Sequence, residues 1–274
     1  MKATLLFLLL LAAQAMHAQS TGRYADVNGI KMYYEIHGTG SPLVLLHGGG
    51  STIRTSFGRI LPGLAQTHQV IAIELQAHGH TGDRNAPETF EQDAADVIEL
   101  LRQLGIAKTD ILGFSNGGMT TLQIAIKYPG ILRKVVIASA LYNRSGTPPG
   151  FWDGFATAKL TDMPQLYRDE YMSINHNQAG LQNMFNKDVQ RMATFQGWSD
   201  DAIRSIQTPA LVVAGDHDVA TPEHTVALYH LLPHARLTIF PAAHGEYMGE
   251  ALFPNTDDKT PAFFVELVNK FLAE

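Results

Sequence analysis

The stretch DILGFSNGGMTTLQIAIKY, residues 110–128, decides the fold. Its apolar start, residues 110–114, is typical of a buried strand, and a helical pattern begins at residue 116. Between the two lies GFSNG, the only G-x-S-x-G sequence in the chain. On a strand-to-helix turn this pattern indicates a sharp bend that lifts the serine hydroxyl out of the strand, and the two glycines leave room for that bend. We therefore predict that Ser115 is presented as a nucleophile.

Runs rich in Val, Ile and Leu recur along the chain, as expected for parallel strands that are buried on both faces. Helical patterns separate most of them, the clearest being residues 90–104, 116–128 and 261–272. Residues 24–36 alternate between apolar and polar positions around an Asn-Gly turn signal, which predicts a hairpin at one sheet edge. The fold class is therefore α/β, with a mostly parallel central β-sheet flanked by helices. The predicted strands are residues 43–47, 70–75, 110–114, 135–140, 211–215 and 237–240.

The alternation of strands and helices stops between residues 140 and 209. This stretch opens with GTPPG at residues 146–150 and continues with helix-like segments, so it is too long and too patterned for a simple loop. We interpret residues 147–205 as a helical cap inserted into an α/β core, which comprises residues 19–146 and 206–274.

Residues 1–18 have the layout of a secretory signal peptide. Lys2 precedes an apolar run from residue 5 to residue 13, and small residues follow. The run is short for a membrane anchor, and no second apolar stretch reaches membrane-spanning length. We therefore expect cleavage near Ala18 or after Ser20, a secreted or periplasmic protein, and no stable membrane insertion after cleavage.

The composition excludes several classes of protein. The chain contains no Cys, which excludes a disulfide scaffold, a thiol nucleophile and a thiolate metal site. The net charge is −6 and there is no basic run, so nucleic acid is not an expected partner. His78 and His80 are spaced like a metal-binding pair but lack carboxylate or thiolate partners at ligand spacing, so we expect no metal.

A general base is expected in a loop at the carboxyl edge of the sheet, where catalytic groups of α/β proteins gather. His244 fits this position because it follows the predicted strand at residues 237–240 within the sequence PAAHG. His224 and His230 belong to a helix that begins at a Thr-Pro pair, and His234 precedes a strand. We expect these three histidines on the surface.

An acid that orients the base is expected after the preceding strand, where the sequence offers Asp216 and Asp218. We favour Asp218, because Asp216 is closer to the strand and better placed to tie down the turn.

Two backbone N–H groups are candidates for an oxyanion hole. The N–H of Asn116 lies at a predicted helix N-terminus, where the helix dipole favours negative charge. The loop LLHGGG at residues 45–50 supplies the second donor, with Gly49 as the first choice and Gly48 as the second. His47 is expected to be a buried, hydrogen-bonded residue, because the backbone of this loop does the stabilising.

The glycine-rich loop, the G-x-S-x-G turn and the order Ser, Asp, His resemble the α/β-hydrolase superfamily over nearly all of the mature chain. The resemblance implies hydrolysis without a cofactor, in which Ser115 attacks a carbonyl carbon, His244 takes the proton and water releases the acyl group. Members of the superfamily cleave esters, lactones, thioesters, amides and some C–C bonds. The leading hypothesis is a carboxylic ester hydrolase. The alternatives are a C–C bond or enol-lactone hydrolase and a non-catalytic binding protein of the same fold.

The predicted cap is rich in aromatic residues and methionines, which can line an apolar pocket. Most of them are expected to pack the cap onto the core instead. We therefore expect a small-molecule substrate with an apolar acyl or aryl group. The side chains concerned are Phe151, Trp152, Phe155, Leu166, Tyr167, Tyr171, Met172, Met184, Phe185, Met192, Phe195 and Trp198.

Overall fold

A computed structural model describes residues 22–274 of the chain. The predicted signal peptide, residues 1–18, lies outside the described residues. Within them, a single eight-stranded sheet is flanked by α-helices. The strands are β1 (Arg23–Val27), β2 (Ile30–His37), β3 (Ser41–Leu46), β4 (His68–Ile73), β5 (Thr109–Phe114), β6 (Leu132–Ala138), β7 (Ala210–His217) and β8 (Ala235–Ala243). The helices are α1 (Ile53–Phe57), α2 (Leu61–Leu64), α3 (Phe90–Gln103), α4 (Asn116–Lys127), α5 (Phe151–Thr157), α6 (Gln165–Asn175), α7 (Gln178–Thr194), α8 (Asp200–Arg204), α9 (Pro222–Leu231) and α10 (Thr260–Ala273).

The strand order in the sheet is β1-β2-β4-β3-β5-β6-β7-β8. All pairs from β4 to β8 are parallel, whereas β2 is antiparallel to both β1 and β4. The hairpin at the sheet edge turns through Asn28 and Gly29, which have φ values of 44° and 88°. Positive φ at both central residues is the geometry that an Asn-Gly turn favours. The predicted α/β class, parallel sheet and edge hairpin are confirmed.

The two faces of the sheet are covered by different helices. On β3, Val44 and Leu46 pack in one apolar cluster with residues of α3 and α4, and Leu43 and Leu45 pack in another with residues of α1, α2 and α10. Successive side chains of a strand point to opposite faces, so a strand covered on both sides must be apolar at every position. This explains why the central strands are uninterrupted apolar runs in the sequence.

The turn from β5 into α4 is tightly enclosed. Ser115 has φ 55°, a left-handed conformation that non-glycine residues seldom adopt. A Cβ on Gly117 would lie 2.0 Å from the Leu46 carbonyl oxygen, and one on Gly113 would lie 2.2 Å from the Gly117 carbonyl oxygen. Glycine is therefore required at both positions for α4 to pass this close to β3 and β5.

Helix α9 begins as expected, with the Thr221 hydroxyl accepting a hydrogen bond from the His224 N–H. The prediction that His224 lies on the surface is wrong, because only 5 % of this residue is exposed. Its ring stacks on Tyr142 and its Nε2 accepts the Tyr142 N–H at 3.1 Å. Burial lowers the pKa of His224 to about 4, so the ring is a neutral acceptor. His230 and His234 are exposed, as predicted.

Helices α5 to α8 lie between β6 and β7 along the chain, inside the segment assigned to the cap. A buried charge cluster attaches α7 to the core. Arg191 on α7 donates to Asp93 on α3 at 2.7 Å and to Asp188, and its guanidinium lies 5.1 Å from the centre of the Phe90 ring. Glu88 has one carboxyl oxygen 3.6 Å from Arg191 Nη1, but neither of its oxygens accepts a hydrogen bond from the described residues.

Among residues 22–274, no helix combines the length and the apolar character that crossing a bilayer requires.

The environment of Glu88 leads us to predict that the folded protein loses stability at alkaline pH. Burial raises the pKa of Glu88 to about 8 from an ordinary value of 4.5, so the folded protein holds this proton more tightly than the unfolded chain does. The associated stability is complete below the unfolded pKa and is lost as pH rises through the folded pKa. We expect Glu88→Gln to be more stable relative to wild type at pH 9 than at pH 5, by more than about 1.4 kcal/mol, the equivalent of one pKa unit.

Urea unfolding of both proteins at several pH values measures this difference. Glu91→Gln, which replaces an exposed carboxyl nearby on α3, is the matched control and should follow the wild-type pH dependence. A Glu88→Gln protein with that same dependence would contradict the assignment.

Candidate active site

Three side chains from separate loops meet at the carboxyl edge of the sheet. Ser115 follows β5, Asp218 follows β7 and His244 follows β8, and these three strands run parallel. His244 Nε2 lies 3.1 Å from Ser115 Oγ, and His244 Nδ1 lies 2.6 Å from Asp218 Oδ1. The structure therefore brings the predicted nucleophile, base and acid into one hydrogen-bonded chain.

The two aspartates after β7 have different surroundings. Asp216 is largely exposed and accepts the Ala242 N–H at 2.9 Å, which ties the ends of β7 and β8 together. The side chain of Asp218 is fully buried. Burial opposes its ionisation, but hydrogen bonding and the charge of His244 outweigh that effect and lower the pKa of Asp218. Only Asp218 has the geometry of an acid that orients His244.

Ser139 and Tyr247 support Asp218, and sequence reasoning did not identify either of them. The Ser139 hydroxyl donates to Asp218 Oδ2, and its oxygen lies 2.8 Å from the Tyr247 hydroxyl. Ser139 comes directly after β6, which is the strand beside β7, and has φ 52°. A polar residue at the end of a central strand was the available signal, but nothing in the sequence pairs it with Asp218.

Backbone N–H groups of the glycine-rich loop have distinct partners. The Gly48 N–H donates to Ser56 Oγ at 3.3 Å, and the Gly50 N–H donates to Asp188 Oδ2 at 2.6 Å. Within the described residues, the N–H groups of Gly49 and Asn116 donate no hydrogen bond. The loop adjoins the serine, since a Cβ on Gly48 would lie 3.3 Å from Ser115 Cβ. Of the two glycines considered for the oxyanion hole, Gly49 has the N–H that is free to donate.

His47 and the two histidines after β4 have structural surroundings. His47 is buried, accepts the Leu75 N–H at 3.0 Å and donates to the Gly48 carbonyl, and burial lowers its pKa to about 3. His80 is paired with Glu74, and His78 is paired with Asp188. Among residues 22–274, no group of three or more His, Asp or Glu side chains is arranged to hold a metal ion.

A cavity of about 390 Å³ opens onto Ser115 and His244. Its floor is the edge of the sheet and its walls are formed by α5, by the start of α6 with the segment before it, and by α7. Of the predicted pocket residues, Trp152, Leu166, Tyr171, Met172, Phe195 and Trp198 do not line it. The lining is mainly apolar, with Asp162 and Asp188 as its carboxylates, and among the described residues no Lys or Arg contributes. The apolar lining side chains are Phe151, Phe155, Ala158, Met163, Pro164, Tyr167, Met184, Phe185, Val189, Met192 and Val219.

The chain is similar to proteins of known family. The sequence pattern described as the alpha/beta hydrolase fold matches residues 41–170. The human protein named Serine hydrolase BPHL is 30 % identical over 247 residues, which cover 84 % of this chain and 81 % of that protein. A 2-hydroxymuconate semialdehyde hydrolase from a Pseudomonas species is 27 % identical over 92 % of this chain and 94 % of its own length.

Solved structures show the same fold. A meta-cleavage product hydrolase from Pseudomonas fluorescens superimposes with a TM-score of 0.76 at 22 % identity, covering 92 % of this chain and 97 % of that one. This likeness shows that the two chains share one fold. The chain belongs to the α/β-hydrolase family.

Proposed function

We propose that this protein is a serine hydrolase that cleaves a carboxylic ester through an acyl-enzyme on Ser115. One observation carries the proposal. The chain Ser115 Oγ–His244–Asp218 opens onto an apolar cavity, beside two backbone N–H groups that have no partner in the described residues. A nucleophile, a base, an orienting acid and oxyanion donors are the groups that acyl transfer needs.

The reaction follows from these positions. His244 Nε2 takes the Ser115 Oγ proton as Oγ bonds to the ester carbonyl carbon, and the carbonyl oxygen becomes an oxyanion that accepts hydrogen bonds from the Gly49 and Asn116 N–H groups. His244 then gives the proton to the departing alkoxide, which leaves as an alcohol. A water molecule, deprotonated by His244, attacks the acyl carbon, and the carboxylic acid is released with the Ser115 hydroxyl restored. Asp218 holds the ring tautomer and stabilises the imidazolium.

The charges of the cavity support an uncharged acyl group. Asp162 and Asp188 lie in its lining, and no Lys or Arg among the described residues does. A carboxylate on the substrate would lose hydration in this apolar cavity and find no cationic side chain in the lining to pair with, which is costly. The similar Pseudomonas protein is named for 2-hydroxymuconate semialdehyde, a carboxylate. This is the reason for ranking an ester hydrolase above a C–C bond hydrolase acting on such a compound.

Substitutions at the triad test the mechanism on an activated aryl ester. Ser115→Ala should lower kcat by about 10⁴ to 10⁶ because the nucleophile is lost. Asp218→Asn should lower kcat by about 10⁴ because the ring tautomer is no longer held. Asp216→Asn is the matched control: its oxygen can still accept the Ala242 N–H, so activity should stay near wild type. A Ser115→Ala protein as active as wild type would contradict the proposed function.

A pair of esters tests the charge preference. We expect kcat/KM for 4-nitrophenyl hexanoate to exceed that for mono-4-nitrophenyl adipate by at least about tenfold, because the two differ in one terminal carboxylate. Spontaneous hydrolysis of each ester, measured without enzyme, is subtracted. Equal or faster turnover of the adipate, or far faster turnover of a ring-cleavage product, would reverse the ranking of the ester over the C–C bond hydrolase.

We also propose that the protein is exported, on the strength of the signal-peptide pattern at residues 1–18. After expression in a Gram-negative host, we expect periplasmic protein that begins at Gln19 or Thr21, as read by mass spectrometry. Leu8→Arg, which interrupts the apolar run, should keep the protein unprocessed in the cytoplasm. Wild-type protein found unprocessed in the cytoplasm would contradict export.

A further inference from the structure

Asp188 is a buried carboxylate at the edge of the active-site cavity that the mechanism above does not use. It lies on α7, in the segment between β6 and β7, and its side chain is only 13 % exposed. Its Oδ2 accepts the Gly50 N–H at 2.6 Å, and its Oδ1 lies 3.4 Å from the side-chain Nδ2 of Asn116. One side chain from the insertion thus contacts both segments that carry the candidate oxyanion donors.

The contact between Asp188 and Gly50 affects the position of the Gly49 N–H, the first candidate oxyanion donor. The Gly50 N–H belongs to the peptide that joins Gly49 to Gly50, so holding it restrains the plane that follows the Gly49 N–H. Consecutive glycines have wide conformational freedom, and Gly50 itself has φ +65°. These glycines have no side chains, so hydrogen bonds from other segments have to define the loop. Asp188 Oδ2 accepts the Gly50 N–H at 2.6 Å, and His78 Nε2 lies 3.1 Å from the same nitrogen.

The second donor is restrained through its side chain. Gly49 packs directly against Asn116, since a Cβ on Gly49 would lie 2.4 Å from Asn116 Nδ2 and 3.3 Å from Asp188 Oδ2. Gly49, Asn116 and Asp188 therefore form one packed unit beside Ser115. Donors of an oxyanion hole act only when they are held in place before charge develops, so such restraint has catalytic value.

A carboxylate this close to a developing oxyanion would be harmful unless its charge were compensated. Arg191 donates to Asp188 Oδ1 one helical turn away. His78 Nε2 lies 3.0 Å from Asp188 Oδ2 and 3.1 Å from the Gly50 nitrogen, and His78 Nδ1 lies 2.8 Å from the Gln76 carbonyl oxygen, so an acceptor faces each ring nitrogen. Burial alone would lower the pKa of His78, but the Asp188 charge raises it to about 9. Two cations thus offset the one carboxylate.

We propose that Asp188 is a positioning residue for the oxyanion hole, through which helix α7 of the insertion holds the Gly49 and Asn116 donors in place. The proposal rests on the proposed function of Ser115. It differs from a purely electrostatic role, in which removing a negative charge near the oxyanion should speed the reaction. A positioning role predicts that the same substitution slows the reaction.

The test compares Asp188→Asn with wild type on a neutral 4-nitrophenyl ester and on an aryl trifluoromethyl ketone that adds to serine as a tetrahedral adduct. Asp188 uses one oxygen for Gly50 and the other for Asn116, whereas Asn has a single oxygen, so the variant can keep only one of the two contacts. We expect kcat to fall at least about tenfold with KM nearly unchanged, a part of the 10²- to 10³-fold cost of losing a whole donor. We expect Ki for the ketone to rise by the same factor as kcat/KM falls. A smaller folded fraction would lower the rate without changing Ki.

Asp169→Asn is the matched control, because Asp169 on α6 is an exposed carboxylate of the same insertion, does not line the cavity, and accepts a hydrogen bond from Gln165 Nε2 that an amide oxygen can still accept. It should keep wild-type kcat and Ki. If Asp188→Asn does not fold, Asn116→Ala carries the test: it keeps the backbone donor and removes the side chain that Asp188 contacts, so kcat should fall and Ki should rise together.

The outcomes separate the two proposals. Wild-type protein that neither hydrolyses aryl esters nor binds the ketone would overturn the proposed function. Active wild type together with an Asp188→Asn protein of equal or higher kcat and unchanged Ki would overturn the role of Asp188 alone.

Discussion

The close approach of helix α4 to strand β3 is the constraint on which the rest of the site depends. It requires glycine at positions 113 and 117 and holds Ser115 in a left-handed conformation. Backbone strain of this kind persists only where the surrounding packing over-determines it. Here the packing is an apolar sheet covered on both faces. Because β7 and β8 extend the same parallel sheet, their ends deliver Asp218 and His244 to the edge where Ser115 is exposed.

Charge compensation is the second requirement, and it links the insertion to the core. Arg191 lies among Asp93, Asp188 and Glu88, and each of these groups is mostly removed from water. Removing one member of such a cluster leaves another charge buried and unpaired, which destabilises the folded protein. Burial raises the pKa of Asp93 to about 6 and that of Glu88 to about 8, so at neutral pH Arg191 and the protonated His78 balance the charges of Asp93 and Asp188 while Glu88 is protonated. The insertion therefore does more than line the cavity with apolar side chains, since it places charge beside the Gly49 and Asn116 residues.

The sequence pattern misplaced or missed residues whose burial and role depend on contacts between distant segments. His224 lies on a short helix with little amphipathic pattern, and only the stacking partner Tyr142 from the loop after β6 reveals that it is buried. Ser139 and Tyr247 carry no motif, yet both belong to the hydrogen-bond network of Asp218. Asp188 sits in a polar stretch of α7 that resembles a solvated helix face. Each of these residues acquires its role from a partner more than seventy residues away along the chain.

The sequence by itself determined the α/β class, the parallel strands, the edge hairpin and the turn at Ser115, because these follow from local periodicity and from glycines at fixed spacing. It also singled out His244 and narrowed the acid to Asp216 or Asp218, with Asp218 favoured, by their positions after late strands, since parallel strands end at one edge. Only the tertiary structure decided that Asp218 and not Asp216 faces His244, that Gly49 has the free N–H, and which cap side chains line the cavity. Those outcomes depend on distances between side chains from different elements, and a one-dimensional pattern contains no such distances.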